Sequence, residues 1–530
     1  MVNDSPEDHD ADSPHRVSRR TLLAASAASA VAGAGLGVGG VALSKRVQQG
    51  PDLWLRPDRS DAPRVAGLHL QFGADASNEV VVSWSTPVDV GNPRVRFGVP
   101  TGGFGSTVAA ETVVYRDAQS GTEVRVHHAR LRGLHPDSEY VYAAVHDGAP
   151  PELGAVRTAP SGRAALRFTS FGDQSTSSLN AIVDGSFVSD SRGAPAAGDV
   201  TNGVERLAPL FNLVNGDLCY ANLANDRVRT WSDWFELNSR SARYRPWMPA
   251  AGNHENELGN GPIGYGAYQT YFALPESGAD DELRGLWYSF TAGSVRIISL
   301  NNDDICLQDG GNSYVFGYSG GAQKRWLETE LAAARDDVRI DWVVVCMHQT
   351  AISTGERTNG ADLGIRRDWL PLFDRYGVDL VVCGHEHHYE RSHAVRGVLP
   401  TDTLTPMPVG DGDTIDTTRG TVHLVIGGGG TSIPSNHLLF ADKRCRVITA
   451  VGQFDAALGH KTPTYVHEDA PWSAFRDPVN PYGFVSFDLD PGQPGGTTSI
   501  AATYYAVTGP FGDLVPVDRF TLTRPRNDGA

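Results

Sequence analysis

The chain has 530 residues, 40% of them hydrophobic and 20% charged, which suits two to four globular domains with sizeable cores. A formal net charge of −17, with the acidic residues spread along the chain, argues against nucleic acid or another polyanion as the general partner, though not against a small phosphate ester drawn to a metal. Five scattered cysteines are too few for a disulfide framework; Cys346 and Cys383 lie in apolar runs, and Cys306 with Cys445 is the one pairing left open for an oxidising compartment.

Residues 1–50 read as an export signal. A polar, acidic start leads to "SRRTLL" (Ser18, Arg19, Arg20), then a charge-free Ala/Gly-rich stretch from Thr21 to Ser44, then Lys45 and Arg46. This is a twin-arginine-type pattern, which places the mature protein outside the cell, in a periplasm or on the cell surface. The alternative is a transmembrane anchor, but the Ala/Gly composition is weakly hydrophobic, so removal is favoured and no stable membrane span is expected afterwards. No Cys precedes Cys219, which excludes lipoprotein attachment.

Residues 51–63, with Pro51, Pro57 and Pro63, form a linker. Over 64–160 short alternating runs such as "EVVVSWST", "RVRFG" and "SEYVYAAVHDG", broken by Gly, Pro, Asn and Asp, predict a β-sandwich. The order of these pieces resembles a fibronectin type III module, with Trp84 and Tyr140 as core anchors and His127 and His128 on its surface. Over 161–481 the pattern changes to apolar strands that alternate with amphipathic helices at 321–335 and 365–376, the sign of a largely parallel sheet covered by helices. Segments 401–418 and 454–480 have little periodicity and are expected as loops. Residues 482–530 hold antiparallel-type strands that complete the domain and close an edge.

Five of the apolar strands end in residues able to bind a metal: Asp173 after "FTSFG", Asp217 after "LVNG", Asn253 after "PAAG", His348 after "VVVCM", and His385 with His387 in "CGHEH". Ligands in open α/β sheets gather at the carboxyl ends of strands, so these residues can converge. Carboxylates, an amide oxygen and imidazoles suit iron, zinc or manganese better than calcium. Six ligands are too many for one catalytic ion that keeps an open position, and they suit two, bridged by a carboxylate.

The ordered series "GD", "GDLCY", "GNHE", "CMH", "GHEH" resembles the calcineurin-like metallophosphoesterases, and "GDLCY" narrows the resemblance to the purple acid phosphatases. That resemblance implies two mixed β-sheets flanked by helices, behind the N-terminal sandwich. It implies a ferric site of Asp173, Asp217, Tyr220 and His387, and a divalent site (Fe, Zn or Mn) of Asp217, Asn253, His348 and His385. A metal-bound hydroxide would then attack a phosphate monoester at acidic pH.

His254, beside Asn253, is the candidate to touch the phosphate or protonate the leaving alkoxide; the plainer reading is that it orients a ligand. Glu255 is expected to support the ligands, and Tyr389, Glu390 and Arg391 to buttress their loop, while His388 is expected to be exposed. The segment "TAISTGERTNGADLG" lacks the adjacent histidines that plant-type relatives carry after the fourth motif. Arg357 falls there, either contacting substrate or solvated. The "GDQST" motif also lacks a glycine found in many relatives, and the tetraglycine at 427–430 reads as a tight turn near the metals rather than a phosphate cradle. Rival functions are a phosphodiesterase or nucleotidase on the same bimetal site, and an inert adhesion protein that uses the sandwich domain.

Overall fold

The computed structural model describes residues 62–176, 192–308, 313–456, 460–509 and 513–528, together with the backbone of two short strands, Ala181–Val183 and Ser186–Val188. The expected signal and most of the linker lie outside the described residues.

The N-terminal domain is two antiparallel four-stranded sheets. Ala66–Phe72, Val80–Thr86, Glu123–Leu131 and Glu111–Arg116 form one in that spatial order, and Ser106–Ala109, Arg94–Gly98, Glu139–Val145 and Glu152–Arg157 form the other. Strand Glu123–Leu131 mostly alternates buried with partly exposed residues, as a half-buried strand must. Trp84 and Tyr140 are buried anchors, and the Tyr140 hydroxyl accepts from the His135 amide at 2.9 Å. His127 is not on the surface: it is buried between the Thr86 and Thr112 hydroxyls at 2.9 and 2.8 Å. His128 is also inward, bonded to Ser83 Oγ at 2.8 Å and to the Thr270 carbonyl at 3.0 Å.

Two mixed seven-stranded sheets follow, flanked by helices. In the first, Trp247–Pro249, Phe211–Val214 and Leu166–Phe171 run parallel, and the C-terminal strands Gly483–Asp490, Thr497–Val507 and Leu514–Pro525 continue it antiparallel. The C-terminal strands therefore make up the middle of this sheet, and Thr414–Asp416 forms its edge. In the second, Val295–Ser299, Trp342–Cys346, Leu380–Cys383 and Val422–Ile426 are parallel. Antiparallel Tyr288–Ala292 closes one side, and Tyr389–Ser392 with Ser473–Arg476 closes the other.

The expected loops carry strands: Thr464–Asp469 pairs with Arg444–Ala450, and Ser473–Arg476 is an outer strand of the second sheet. Helix Ala322–Asp336 matches its amphipathic pattern. The 365–376 pattern is two helices, Leu363–Asp368 and Leu370–Tyr376, interrupted at Trp369 just before Pro371, whose missing N–H forbids a continuous helix. Helices Ala196–Leu207 and Arg227–Ala242 complete the cover. One hydrophobic core runs through the sandwich and both mixed sheets. All five cysteines are buried and free, so Cys306 and Cys445 are not paired. No helix among the described residues is long and apolar enough to cross a membrane.

Candidate metal centre

The carboxyl ends of the two mixed sheets are stitched together where the site forms. The Gly172 amide donates to Ile426 O at 2.8 Å, and Asn215 Nδ2 donates to Cys383 O at 3.1 Å. Each motif follows one parallel strand of these sheets, so five strand ends deliver the side chains to one place.

The backbone is bent to do so. Asp173, Asp217, Tyr220 and His385 all have left-handed φ values, 57°, 51°, 58° and 70°. That conformation costs non-glycine residues on the order of 1 kcal/mol or more, and such strain concentrates at functional sites. Close approach is equally tight: a Cβ on Gly252 would lie 2.3 Å from Asp217 Oδ1.

The seven residues form two adjoining groups. In one, His348 Nε2 lies 3.0 Å from Asp217 Oδ2, 3.0 Å from Asn253 Oδ1 and 3.1 Å from His385 Nδ1. Asp217, His348 and His385 offer ligand atoms that all lie within 4.8 Å of one another. In the other, the Tyr220 hydroxyl lies 3.3 Å from Asp173 Oδ1 and 3.2 Å from His387 Nε2, and His387 Nε2 is 3.4 Å from Asp173 Oδ1. The His385 amide donates to Asp173 Oδ2 at 2.8 Å and ties the groups together.

The hydrogen bonds around the rings decide what these atoms can bind. His348 Nδ1 meets the Asn215 carbonyl at 2.8 Å and His387 Nδ1 meets the Ile433 carbonyl at 2.7 Å. A carbonyl demands a donor, so in the neutral rings each Nε2 bears its lone pair. His385 Nε2 likewise meets Gln308 Oε1 at 2.6 Å, which turns its Nδ1 lone pair inward. With neutral rings, carboxylate, amide and imidazole lone pairs point at one another, so a proton on His348 Nε2 or a cation must lie between them. This donor set fits cations of the zinc or iron kind.

The electrostatics match. Burial pushes the Asp217 carboxyl up, but the neighbouring His348 and His254 charges override it and hold it below the ordinary range. Burial lowers His348, yet Asp217 and Asp173 raise it to about 10. Burial and the Asp173 charge push the Tyr220 phenol well above its usual value. A cation that takes these donors therefore displaces protons.

Supporting groups surround the cluster. Glu255 accepts from the amides of Asp217, Leu218 and Gly252 at 2.8, 2.8 and 2.7 Å, as its expected supporting role requires. His254 sits 3.9 Å from Asp217 Oδ2, its Nδ1 bonded to Asn222 Oδ1 at 3.0 Å and its ring 4.5 Å from that of Tyr220. Tyr389 and Arg391 both bond Asp518, and Glu390 accepts from the Thr354 amide at 2.8 Å. His388 is buried, contrary to expectation, held by Ser435 Oγ at 2.8 Å and Glu390 at 2.6 Å.

Arg357 is not brought to the cluster: its side chain is 78% exposed, with Glu356 4.0 Å away. Gln308, Asn222 and Asn215 are supports that sequence reasoning missed. Asn215 and Asn222 flank "GDLCY", while Gln308 lies in a segment with no motif at all. The turn at 427–430 does border the site, where a Cβ on Gly427 would lie 2.8 Å from Asp173 Oδ2.

Comparison with known proteins supplies the family. The purple acid phosphatase N-terminal domain matches residues 65–159 and the calcineurin-like phosphoesterase domain matches residues 193–389. An uncharacterized protein of Mycobacterium tuberculosis is 70% identical over 528 residues, covering 99% of this chain and 100% of its own. The purple acid phosphatase of Glycine max is 26% identical, over 69% of this chain and 76% of its own. The Fe(3+)-Zn(2+) purple acid phosphatase 12 of Arabidopsis thaliana is 28% identical, over 62% and 66%. Among solved structures, a purple acid phosphatase from yellow lupin seeds superposes with a TM-score of 0.63 at 21% identity, covering 88% of this chain and 75% of its own. Both domain matches and the purple acid phosphatase relatives agree with the motif order, and the chain belongs to the purple acid phosphatases, metal-dependent phosphoric ester hydrolases of the calcineurin-like group.

Proposed function

We propose that the chain is an exported acid phosphatase that hydrolyses small phosphate monoesters at a binuclear centre. The observation that carries this reading is the convergence of carboxylate, amide, imidazole and phenol donors around His348 Nε2 and the Tyr220 hydroxyl, a set now held by protons that a pair of cations can displace. Asp173, Tyr220 and His387 suit a trivalent ion, and Asn253, His348 and His385 a softer divalent one, with Asp217 shared between them. Iron with zinc is the first pair to test, since the Arabidopsis relative is named for it. When bound, such a pair supplies Lewis acidity and a hydroxide nucleophile at acidic pH.

The chain's own groups complete the reaction. His254 lies at the rim, its ring fixed on Tyr220 and its Nδ1 held by Asn222, which leaves Nε2 to face the ester and to protonate the departing alkoxide. Asn222 Oδ1 accepts from Nδ1–H, so the proton for transfer is the one on Nε2 of the imidazolium. The monoester reading is supported by the phosphoenolpyruvate phosphatase of Allium cepa, 28% identical over 63% of this chain and 64% of its own. Export rests on the "SRRTLL" segment. Metal analysis of the exported protein, combined with catalytic efficiencies on matched monoester and diester substrates, tests the reading. Two metals per chain and a monoester preference are expected; a strong diester preference would overturn it.

A further inference from the structure

The segment after "GNHE" has no regular structure to hold it. Residues 256–264, "NELGNGPIG", contain Gly259, Gly261 and Gly264 at φ 87°, 76° and 101°, and no strand or helix crosses them. Their shape depends on side-chain anchors, which come from helix Arg227–Ala242 and from the N-terminal domain. Glu257, fully buried, accepts from Trp231 Nε1 at 2.6 Å, from the Tyr115 hydroxyl at 3.0 Å and from Asn260 Nδ2 at 2.5 Å. Tyr115 belongs to the sandwich strand Glu111–Arg116.

The turn after that strand reaches the same segment. Asn260 Oδ1 accepts from the Ala118 amide at 2.7 Å, Asn260 Nδ2 donates to the Tyr115 hydroxyl at 2.7 Å, and Arg227 lies 3.5 Å from Asp117. A Cβ on Gly259 would sit 2.8 Å from that of Ala118, so turn and segment are in direct contact. Gln119 Nε2 donates to the carbonyls of Ala224 and Asn225 at 3.4 and 3.0 Å, just past the turn that carries Tyr220 and Asn222. One hairpin tip, residues 115–120, thus fastens both backbone segments that meet at His254: the one that bears it and the one that supplies its Asn222 bond and its Tyr220 stacking face.

We infer that the N-terminal domain is a positioning element of the active site, and that Tyr115, Glu257 and Asn260 act as positioning residues that set the orientation of His254. This rests on His254 serving as the acid of the proposed reaction. The sandwich is then no separate binding module, because its contribution is a clamp on the catalytic segment. Displacement of a reacting group by a fraction of an ångström lowers turnover while leaving the metal ligands untouched.

The test uses the full metal-loaded protein and an aryl phosphate monoester. Tyr115→Phe removes one hydroxyl and is expected to lower kcat about 10-fold with little change in KM, metal content or visible absorption. In a His254→Ala background the same substitution is expected to have no further effect on kcat, since the two act through one group. An equal loss in both backgrounds, or unchanged kcat in Tyr115→Phe, would overturn the inference. If Tyr115→Phe fails to fold, Gln119→Ala at the exposed tip carries the same prediction at about 3-fold, with the same double-variant control. An active wild type whose turnover survives His254→Ala would instead refute the acid role of His254. A metal-loaded wild type with no esterase activity would refute the proposed function itself.

Discussion

Within Gly384 to Ser392 successive side chains serve different partners. His385 and His387 face the cluster. Glu386 accepts from the Gly360 amide, His388 bonds Ser435 and Glu390, and Glu390 holds Thr354, so the intervening residues pin the 353–360 loop beside the site. Gly384 lets this happen: a Cβ there would lie 2.4 Å from Asp173 Oδ2 and 2.7 Å from the Asn215 carbonyl, which is backbone and cannot yield. Gly384→Ala is therefore expected to displace Asp173, lowering metal affinity about 100-fold with the fold retained, as read by elemental analysis beside a thermal melt. Tyr220→Phe should keep the fold and lose any visible charge-transfer band, because in the proposed ferric site the phenolate would be its source; a retained band would remove Tyr220 from the ligand set. Asp173, Asp217, Asn253, His348, His385 and His387 were legible because they follow the ends of apolar runs, whereas Tyr220 came only from the family resemblance. His388, His127 and the half-buried His128 were misread because an imidazole among polar neighbours looks exposed in sequence, and the partners that hold His388 and His128, Ser435 and Thr270, lie 47 and 142 residues further along.

Among the elements, strand Tyr389–Ser392 joins the two mixed sheets through its side chains. Arg391 Nε and Nη2 donate to Asp518 at 2.7 and 3.0 Å, and the Tyr389 hydroxyl donates to the same carboxylate at 2.9 Å, with both charged side chains almost wholly buried. Asp518 lies on Leu514–Pro525, so the last described strand is locked to the strand that follows the candidate ligands His385 and His387. Removing one member leaves a buried charge and a buried hydroxyl without that partner, and Asp518→Ala should cost about 3–5 kcal/mol in urea unfolding. A loss under about 1 kcal/mol would show that Asp413, the other partner of Arg391, suffices. Helix Ala322–Asp336 could be read from Leu327, Leu331 and Ala334 on one face. Helix Ala196–Leu207 went unread although Ala197, Val200 and Val204 mark one face, because Gly198 and Gly203 within it argue locally against a helix. Strand Thr464–Asp469 escaped for the opposite reason: no residue in it is fully buried, so nothing marks an inner face.

For the molecule as a whole, the buried histidines couple stability to the acidic range in which the proposed activity lies. Burial, with help from neighbouring positive charge, lowers His127 from the ordinary 6.5 to about 4, and His128 and His423 to about 3. Between pH 6.5 and those values the unfolded chain binds protons that the folded chain refuses, so stability is full above pH 6.5 and falls as the solution is acidified. Asp362 works the other way. Burial raises it to about 7, so its contribution is present below the ordinary carboxyl range and is lost as pH rises towards 7. His69, lowered by burial to about 4, acts with the three imidazoles, while Glu257, Asp303 and Glu386, raised by burial, act with Asp362, so the contribution of one imidazole is read by removing it alone. His423 isolates the effect, since it sits in the middle of the second sheet with neither ring nitrogen hydrogen-bonded among the described residues. Replacing it removes an unsatisfied buried polar group and one refused proton together. His423→Leu is thus expected to match or exceed the wild-type melting temperature at pH 7, and to reduce the acid slope of the unfolding free energy by about one proton between pH 6 and pH 4. An unchanged slope would mean that the imidazole is already protonated in the folded protein, which would require a partner for its charge inside the sheet.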